Sequence, residues 1–291
     1  MEKEDSRSGT FNPLFKEKVH VAFLGWEIER IIEPVIQMLG NRLIIICMPK
    51  ERERAWGYLE EIKKQLEEKG KKVDVIEAPL LNMVELLEIL NKIFQVESSK
   101  GNEIFVNVSA GTKVSASAST IAAMSKPGIT AYYAKPERYI PAEEFTYPKT
   151  ISKGIKEIYA LPECQVDIPE QKYIKTLRVI KNKAVNVPET GRVYLKDLIE
   201  DLEKLGIIHV KDNKNERKHT SSLYMAATSL VRNLNKWNYI DISPKRRNKF
   251  ITMTEKGENA IRMYLDYEID DQMLVKGKNK SIKDWMDDLQ I

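Results

Sequence analysis

The sequence lacks the residues on which several large classes of protein depend. It has two cysteines and three histidines in 291 residues. Cys47 and Cys164 stand far apart, which argues against a disulfide scaffold and a cysteine-based zinc site and favours a reducing, cytoplasmic location. The histidines His20, His209 and His219 are scattered. The sequence therefore predicts no metal site and no histidine-based catalytic triad.

Long hydrophobic runs are also missing. No apolar stretch approaches the ~20 residues that a membrane-spanning helix needs. Residues 1–15 are read as a flexible tail, and the first ten residues show no apolar segment of a secretory signal. The formal net charge of +4 is too small to indicate nucleic-acid binding by itself, so the distribution of charge must decide. We expect a cytoplasmic protein that does not contact a membrane.

Two common nucleotide motifs are incomplete. The first candidate loop, Gly25-Trp26-Glu27, has one glycine and no G-x-G-x-x-G pattern, which argues against a dinucleotide cofactor. Gly111-Thr112-Lys113 lacks the earlier glycine of a P-loop, and no magnesium-binding carboxylate follows a strand. The sequence therefore favours a nucleotide pocket without hydrolytic parts, and no cofactor.

Short apolar runs alternate with longer amphipathic stretches in the first half of the chain. This pattern is typical of a Rossmann-like α/β fold, a doubly wound parallel sheet with crossover helices. Helices are predicted at 54–69 and 83–96 from their helical spacing of apolar residues. Strands are predicted at 19–24, 43–48, 73–76, 104–108 and 129–133. A strand at 155–161 ends this domain, and 138–154 is read as a loop or an edge hairpin.

The stretch from Phe105 to Lys113 turns from apolar residues into small polar ones and leads into a helix rich in alanine and serine. It predicts a buried strand that delivers a loop to a helix N-terminus, where unpaired N–H groups favour an anion such as phosphate. Gly111 permits close approach of a ligand, Thr112 offers a hydroxyl and Lys113 a positive charge. The alternative is an ordinary strand, turn and helix that bind nothing. Trp26 is either a stacking surface for a base or a packing residue.

The segment from Asn107 to Lys113 resembles the signature loop of CRISPR-associated Rossmann-fold (CARF) domains, N-x-[ST]-G-G-T-K, although Ala110 stands where the family often has glycine. The resemblance covers residues 19–160. It implies a two-fold homodimer that encloses one cyclic oligoadenylate, and a ring of four adenylates can match that symmetry. The implied ligand-binding residues are Gly25, Trp26, Ser109, Ala110, Gly111, Thr112 and Lys113.

The second half of the chain predicts a mainly helical winged helix-turn-helix domain. Helices at 173–181, 194–205 and 221–237 are followed by two short alternating strands around a basic tip, and then by a helix from Thr254. The predicted organisation is a domain at 16–161, a linker at 162–169, the winged helix at 170–268, and a tail or short helix at 269–291.

Double-stranded DNA is the predicted partner of this second domain. The third helix carries small or basic residues on its outer side and no acidic residue between 221 and 237, and the basic tip follows it directly. The alternative is a solvated charged surface. The candidate DNA-binding residues are Ser222, Ser229, Arg232, Asn233, Lys236, Lys245, Arg246, Arg247 and Lys249.

Together these patterns lead to the hypothesis of a homodimeric transcription regulator of a CRISPR-Cas system that responds to a cyclic oligoadenylate. Two alternatives stay open. One is a metal-independent ring nuclease that cleaves the ligand in its pocket, through orientation and electrostatic stabilisation alone. The other is a winged-helix DNA binder that needs no ligand. The R-x₄₋₆-H motif that CARF-linked ribonucleases carry is absent from the sequence.

Overall fold

The computed structural model describes residues 16–50, 54–144, 150–162, 164, 168–187, 191–209, 216–243, 250–266 and 284. The chain divides into two compact units. The second unit spans Ile168–Asp266, and the first contains a six-stranded sheet with its helices.

The sheet of the first unit has the strand order β3-β2-β1-β4-β5-β6, in which the first five strands are parallel and β6 is antiparallel to β5. This arrangement confirms the predicted Rossmann-like fold. The strands are β1 Lys18–Phe23, β2 Arg42–Cys47, β3 Lys72–Glu77, β4 Glu103–Asn107, β5 Ile129–Tyr139 and β6 Ser152–Ala160. The helices are α1 Glu29–Gln37, α2 Trp56–Glu68, α3 Met83–Ser99 and α4 Lys113–Met124, with a short 3-10 helix at Ala142–Glu144.

The parallel strands form because their residues can be buried on both faces of the sheet. Every residue of β2 is buried, as the continuous apolar run predicts. The first four predicted strands agree with the structure to within one residue at each end. The fifth does not, because β5 runs on to Tyr139 and forms a hairpin with β6, with an irregular register between Lys135 and Pro136. Proline cannot donate to a regular ladder but is tolerated at such an irregularity, so the strand passes through it.

A buried ionic cluster holds together the amino-terminal ends of the strands. Arg42 contacts Asp74 at 3.1 Å, Glu17 at 3.2 Å and the fully buried Glu97, which also pairs with Lys100 at 3.2 Å. Burial opposes the charge of Arg42, but the three carboxylates together raise the pKa of its guanidinium. The cluster joins β2 and β3 to α3 at the edge of the sheet where these strands begin.

The second unit combines four helices with a small antiparallel sheet of order β7-β9-β8. Its helices are α5 Gln171–Val185, α6 Leu195–Lys204, α7 Glu216–Lys236 and α8 Glu255–Tyr264, and its strands are β7 Val193–Tyr194, β8 Ile240–Ile242 and β9 Phe250–Met253. Three helices, a hairpin and a last helix in this order confirm the winged helix-turn-helix prediction. The sequence does not predict β7, because a strand of two residues is too short to show a periodicity. The predicted start of α7 is five residues too late.

His20 is the one buried histidine among the described residues. Its Nδ1 lies 3.0 Å from the hydroxyl of Tyr132, and its ring stacks on Phe105 at a centroid distance of 5.2 Å. Its Nε2 has no hydrogen-bond partner in the described part of the chain, so a proton there would bury an unpaired charge. Burial, with a smaller contribution from Lys18, lowers the pKa of His20 to about 4.

The low pKa of His20 predicts a loss of stability in mild acid. In the unfolded chain its pKa is about 6.5. Since the unfolded state takes up the proton first, the stability contribution is complete above about pH 6.5 and is lost as the pH falls towards about 4. We expect the free energy of unfolding to drop by about 2 kcal/mol between about pH 7.5 and about pH 5 from this group alone. Urea unfolding of wild type and His20→Gln at both pH values measures it.

His209→Gln, which alters an exposed histidine, is the matched control and should keep the wild-type pH dependence. An equal pH dependence in His20→Gln and wild type would show that His20 does not contribute.

Candidate functional site

The site predicted from the sequence lies at the carboxyl end of the sheet, where β1 stands between β2 and β4. Connections leave the sheet on opposite sides of this point, so the loops after β1 and β4 border a crevice, the usual ligand position in such folds. The two loops are very close. A Cβ atom added to Gly25 would lie 2.7 Å from the backbone nitrogen of Gly111. The structure thus brings the first and second glycine loops together as one site.

Gly111 is required by its own conformation as well. Its φ is +88°, in the left-handed region, and an added Cβ would lie 2.6 Å from Phe23 Cβ and from Ser115 Oγ. Any other residue here would push the loop away from β1. The chain therefore makes a tight turn into α4 at Gly111, which is itself exposed.

Thr112 is the N-cap of α4. Its Oγ1 accepts from the Ser115 amide at 3.0 Å while Ser115 Oγ accepts from the Thr112 amide at 2.8 Å, and the hydroxyl also lies 3.1 Å from the carbonyl of Leu80. The hydroxyl of Thr112 is thus engaged in holding the helix start to the loop after β3. Among the described residues, the amides of Gly111, Lys113 and Val114 have no hydrogen-bond acceptor. These amides, rather than the threonine hydroxyl, are the available donors for an anion.

Ser109 and Ala110 shape the loop from the other side. Ser109 Oγ accepts from the Ala134 amide at 2.6 Å, and the Ser109 amide donates to Asn107 Oδ1 at 2.8 Å. The serine hydroxyl therefore retains its proton as a donor. Ala110 is buried and belongs to the hydrophobic cluster around α1 and α2. Its methyl group fills the core, which explains how alanine fits where the related loops often have glycine.

Trp26 and Lys113 provide the side chains that reach solvent at this site. The indole of Trp26 is 40% exposed directly after Gly25. Lys113 is exposed, with no ion pair in the described part of the chain. The site therefore combines free amides, one cation and one aromatic surface, which suits a phosphate group that carries a planar base.

A buried network behind the loops was missed by the sequence analysis. Asn107 Nδ2 donates to the carbonyl of Arg30 at 2.7 Å, and Arg30 Nε donates to the carbonyl of Ala134 at 2.9 Å. Arg30 also pairs with Glu27 at 3.3 Å, whose other oxygen accepts from Ser152 Oγ at 2.6 Å. These bonds join the loops after β1 and β4 to both strands of the β5–β6 hairpin.

One member of this network had a visible signal. Asn107 is a polar residue at the end of an apolar strand, which indicates a buried amide with a fixed partner. Arg30 and Glu27 are charged residues whose burial no local pattern indicates, Glu27 in the first candidate loop and Arg30 just after it, so the sequence could not identify them.

The second unit places three of the predicted DNA-binding residues on the outside of α7. Ser229, Arg232 and Lys236 are exposed. Ser222 is half-buried and its Oγ donates to its own helix, and Asn233 Nδ2 donates to the hydroxyl of Tyr173 at 3.0 Å, which ties α7 to α5. The remaining candidates, Lys245, Arg246, Arg247 and Lys249, lie outside the described residues.

The described residues form neither a metal site nor a membrane-spanning helix. Within the residues that the structure describes, no group of three or more histidine, cysteine or acidic side chains is placed to hold a metal ion. None of the described helices has both the length and the hydropathy of a membrane span.

Three known proteins illustrate what the chain is similar to. It is 27% identical over 128 residues to the uncharacterized protein MJ1513 of Methanocaldococcus jannaschii, an alignment that covers 41% of this chain and 38% of that relative's length. The structure of VC1899 from Vibrio cholerae gives a TM-score of 0.37 at 11% identity, over 85% of this chain and 64% of the other. Can2 from Sulfobacillus thermosulfidooxidans, solved in complex with cyclic tetra-adenylate, gives 0.35 at 14% identity, over 84% and 63%.

Two family models match consecutive parts of the chain. Residues 18–139 match the model described as HFX_2341_N-like, N-terminal, and residues 174–264 match the DUF6293 C-terminal winged helix domain. The two matches fall on the two units of the structure. Residues 18–139 are therefore similar to HFX_2341_N-like N-terminal domains and residues 174–264 to DUF6293 C-terminal winged helix domains, which agrees with the predicted order of a Rossmann-like domain followed by a winged helix.

Proposed function

We propose that the protein is a homodimeric, cytoplasmic transcription regulator of a CRISPR-Cas system, which binds DNA and whose DNA affinity rises or falls when it binds a cyclic oligoadenylate. The observation that carries this proposal is the pair of apposed glycine loops at the switch point of the sheet, in a chain that also contains a winged helix. The first feature suits a phosphate-bearing nucleotide and the second suits duplex DNA.

The ligand is inferred from the chemistry of the loops. A cyclic oligoadenylate presents one phosphodiester charge and one adenine per unit, which match the amides of the α4 N-terminus and the exposed indole of Trp26. Lys113 adds a mobile positive charge at the same place. In a two-fold dimer each subunit would contact half of the ring, and cyclic tetra-adenylate has the matching symmetry.

Thermodynamic linkage limits how far the ligand can change the affinity for DNA. A ligand shared by two subunits shifts the dimer between arrangements only as far as it binds one of them better. Two recognition helices in a dimer must match half-sites about 34 Å apart, so a small change of arrangement alters DNA affinity.

A ring nuclease is the second candidate function. The donor hydroxyl of Ser109 and the ammonium of Lys113 flank the proposed ring position, where orientation of a 2′-hydroxyl towards the adjacent phosphate could permit slow cleavage. This reaction would need no metal.

Lys113→Ala should weaken binding of cyclic tetra-adenylate at least tenfold, because a hydrogen bond to a charged group contributes about 1.5–3 kcal/mol. Isothermal titration of the full-length protein measures the affinity. Lys64→Ala, which removes an exposed lysine from α2, is the matched control and should bind as wild type does. Equal retention of all cyclic oligoadenylates by Lys113→Ala and wild type, in a protein that still binds DNA, would favour the alternative of a DNA binder that needs no ligand.

Sensor and nuclease are separated by the fate of the ring. We expect labelled cyclic tetra-adenylate to bind stoichiometrically and to be recovered intact after single-turnover incubation with excess protein in EDTA. Linear products that appear with wild type and are lost in Lys113→Ala would establish the nuclease instead.

DNA contact predicts a change in salt dependence. Each phosphate contact contributes about 0.9 to the slope of log affinity against log salt on B-DNA. Arg232→Ala, Arg246→Ala and Arg247→Ala should each lower affinity for all sequences and flatten the slope by about one. Fluorescence anisotropy at several salt concentrations measures both, with Lys64→Ala as the control. Unchanged salt slopes in Arg246→Ala and Arg247→Ala would show that the basic tip between the two short strands does not contact DNA.

A further inference from the structure

An apolar patch formed by Tyr224 and Met225 interrupts the polar outer surface of α7. Tyr224 is 51% exposed and Met225 is 70% exposed. The other large apolar side chains of this helix face the core, and they are Leu223, Leu230, Val231 and Leu234. Exposing two neighbouring large side chains in a helix that has enough buried ones for its packing is costly in water and indicates a contact surface.

Helical geometry places the patch among the predicted DNA-binding residues. Met225 stands four, seven and eleven positions before Ser229, Arg232 and Lys236, so all four lie along one face. It precedes them in the helix and is the one large apolar member of this row. Tyr224 lies on the adjoining row and, with Arg217, Thr220 and Ser221, lines a cavity of about 530 Å³.

The small polar neighbours of the patch do not cover it. Thr228 Oγ1 donates to the carbonyl of Tyr224 at 2.7 Å and Ser222 Oγ to the carbonyl of Lys218 at 2.9 Å, so both hydroxyls turn back onto the helix. Tyr224 and Met225 therefore stay exposed beside these short side chains.

The charge around the patch favours a nucleic acid over a protein. From Arg217 to Lys236 the helix contains no acidic residue, while arginine and lysine stand at both ends of the patch. The phosphates of duplex DNA attract such basic residues, and no carboxylate of this stretch opposes them. An apolar centre inside a basic rim fits the major groove, in which the 5-methyl group of thymine is the apolar feature of the base edges.

We propose that Met225 and Tyr224 read thymine, through van der Waals contact with its 5-methyl group in the major groove. This inference rests on the proposed DNA-binding function and adds the base class that the helix recognises. The unbranched thioether of Met225 adapts to the position of a methyl group, and the ring of Tyr224 adds flat apolar area beside it. Arg232 and Lys236 would supply phosphate contacts that fix the register of the helix without reading sequence.

Replacing thymine by uracil tests the proposal, because uracil lacks only the methyl group. The full-length protein, with and without cyclic tetra-adenylate, selects sites from random duplex libraries made with dTTP and then binds the selected site synthesised with thymine or uracil at each position. We expect wild type to prefer thymine about fourfold for each methyl group that is buried. Met225→Ala should remove this preference at one position or more and leave the salt slope unchanged. Tyr224→Ala should act at a neighbouring position.

Val185→Ala removes an equally exposed apolar side chain from another helix of the same unit and should retain the wild-type preference. Equal affinity of wild type for thymine and uracil sites would overturn the proposal and leave DNA binding standing. Failure to bind any duplex would overturn the proposed function and this inference with it. A change of dimer fraction in Met225→Ala, measured by sedimentation, with an intact thymine preference would assign the patch to a protein contact and overturn the proposal as well.

Discussion

The close approach of the loops after β1 and β4 is the constraint on which the candidate site depends. Backbone meets backbone at Gly25 and Gly111, at distances that leave no room for a Cβ atom on either residue. This contact sets the start of α4 against the end of β1, and the first amides of the helix have no acceptor among the described residues. The anion binding that we propose for this site would therefore depend on main-chain geometry, which two glycines permit and the capping pair of Thr112 and Ser115 holds in place.

Buried polar contacts hold these loops in a fixed position relative to the rest of the sheet. Asn107 fixes the loop after β4 to α1, and Arg30 and Glu27 carry the connection to β5 and β6. Removing one partner from such a network leaves a buried charge or amide unpaired, which costs more than the intact bond contributes. Ser109 in the loop also accepts a hydrogen bond from the Ala134 amide of β5. The loop after β4 and the β5–β6 hairpin are thus joined directly as well as through α1.

The sequence predicted the fold well where burial produces a continuous or periodic pattern of apolar residues. Strands β1, β2 and β4 are largely apolar runs, β3 alternates apolar and polar residues, and α2 and α3 carry regular apolar rows. It failed where structure depends on pairing with distant residues. β7 has two residues that pair with β9, and the extension of β5 through Pro136 exists because β6 lies beside it. In the site, Gly111 and Lys113 were recognisable from local pattern, whereas Arg30 and Glu27 gain their roles from partners in β5 and β6 that no local pattern indicates.

In both units, the groups that would contact phosphate differ from the side chains that would recognise a base. Thr112 and Asn233 look like ligand residues in the sequence, but their side chains hold α4 to the loop after β3 and α7 to α5. With the Thr112 hydroxyl engaged, the phosphate contacts that we propose would be made by amides and a lysine, which are indifferent to the base, so any selection for adenine would have to come from surfaces such as Trp26. On α7, an arginine and a lysine that contact phosphates as we propose would bind any duplex equally well, because phosphates carry no sequence. Discrimination between sequences would then have to come from side chains that reach base edges, the role that we propose for the exposed Met225 and Tyr224.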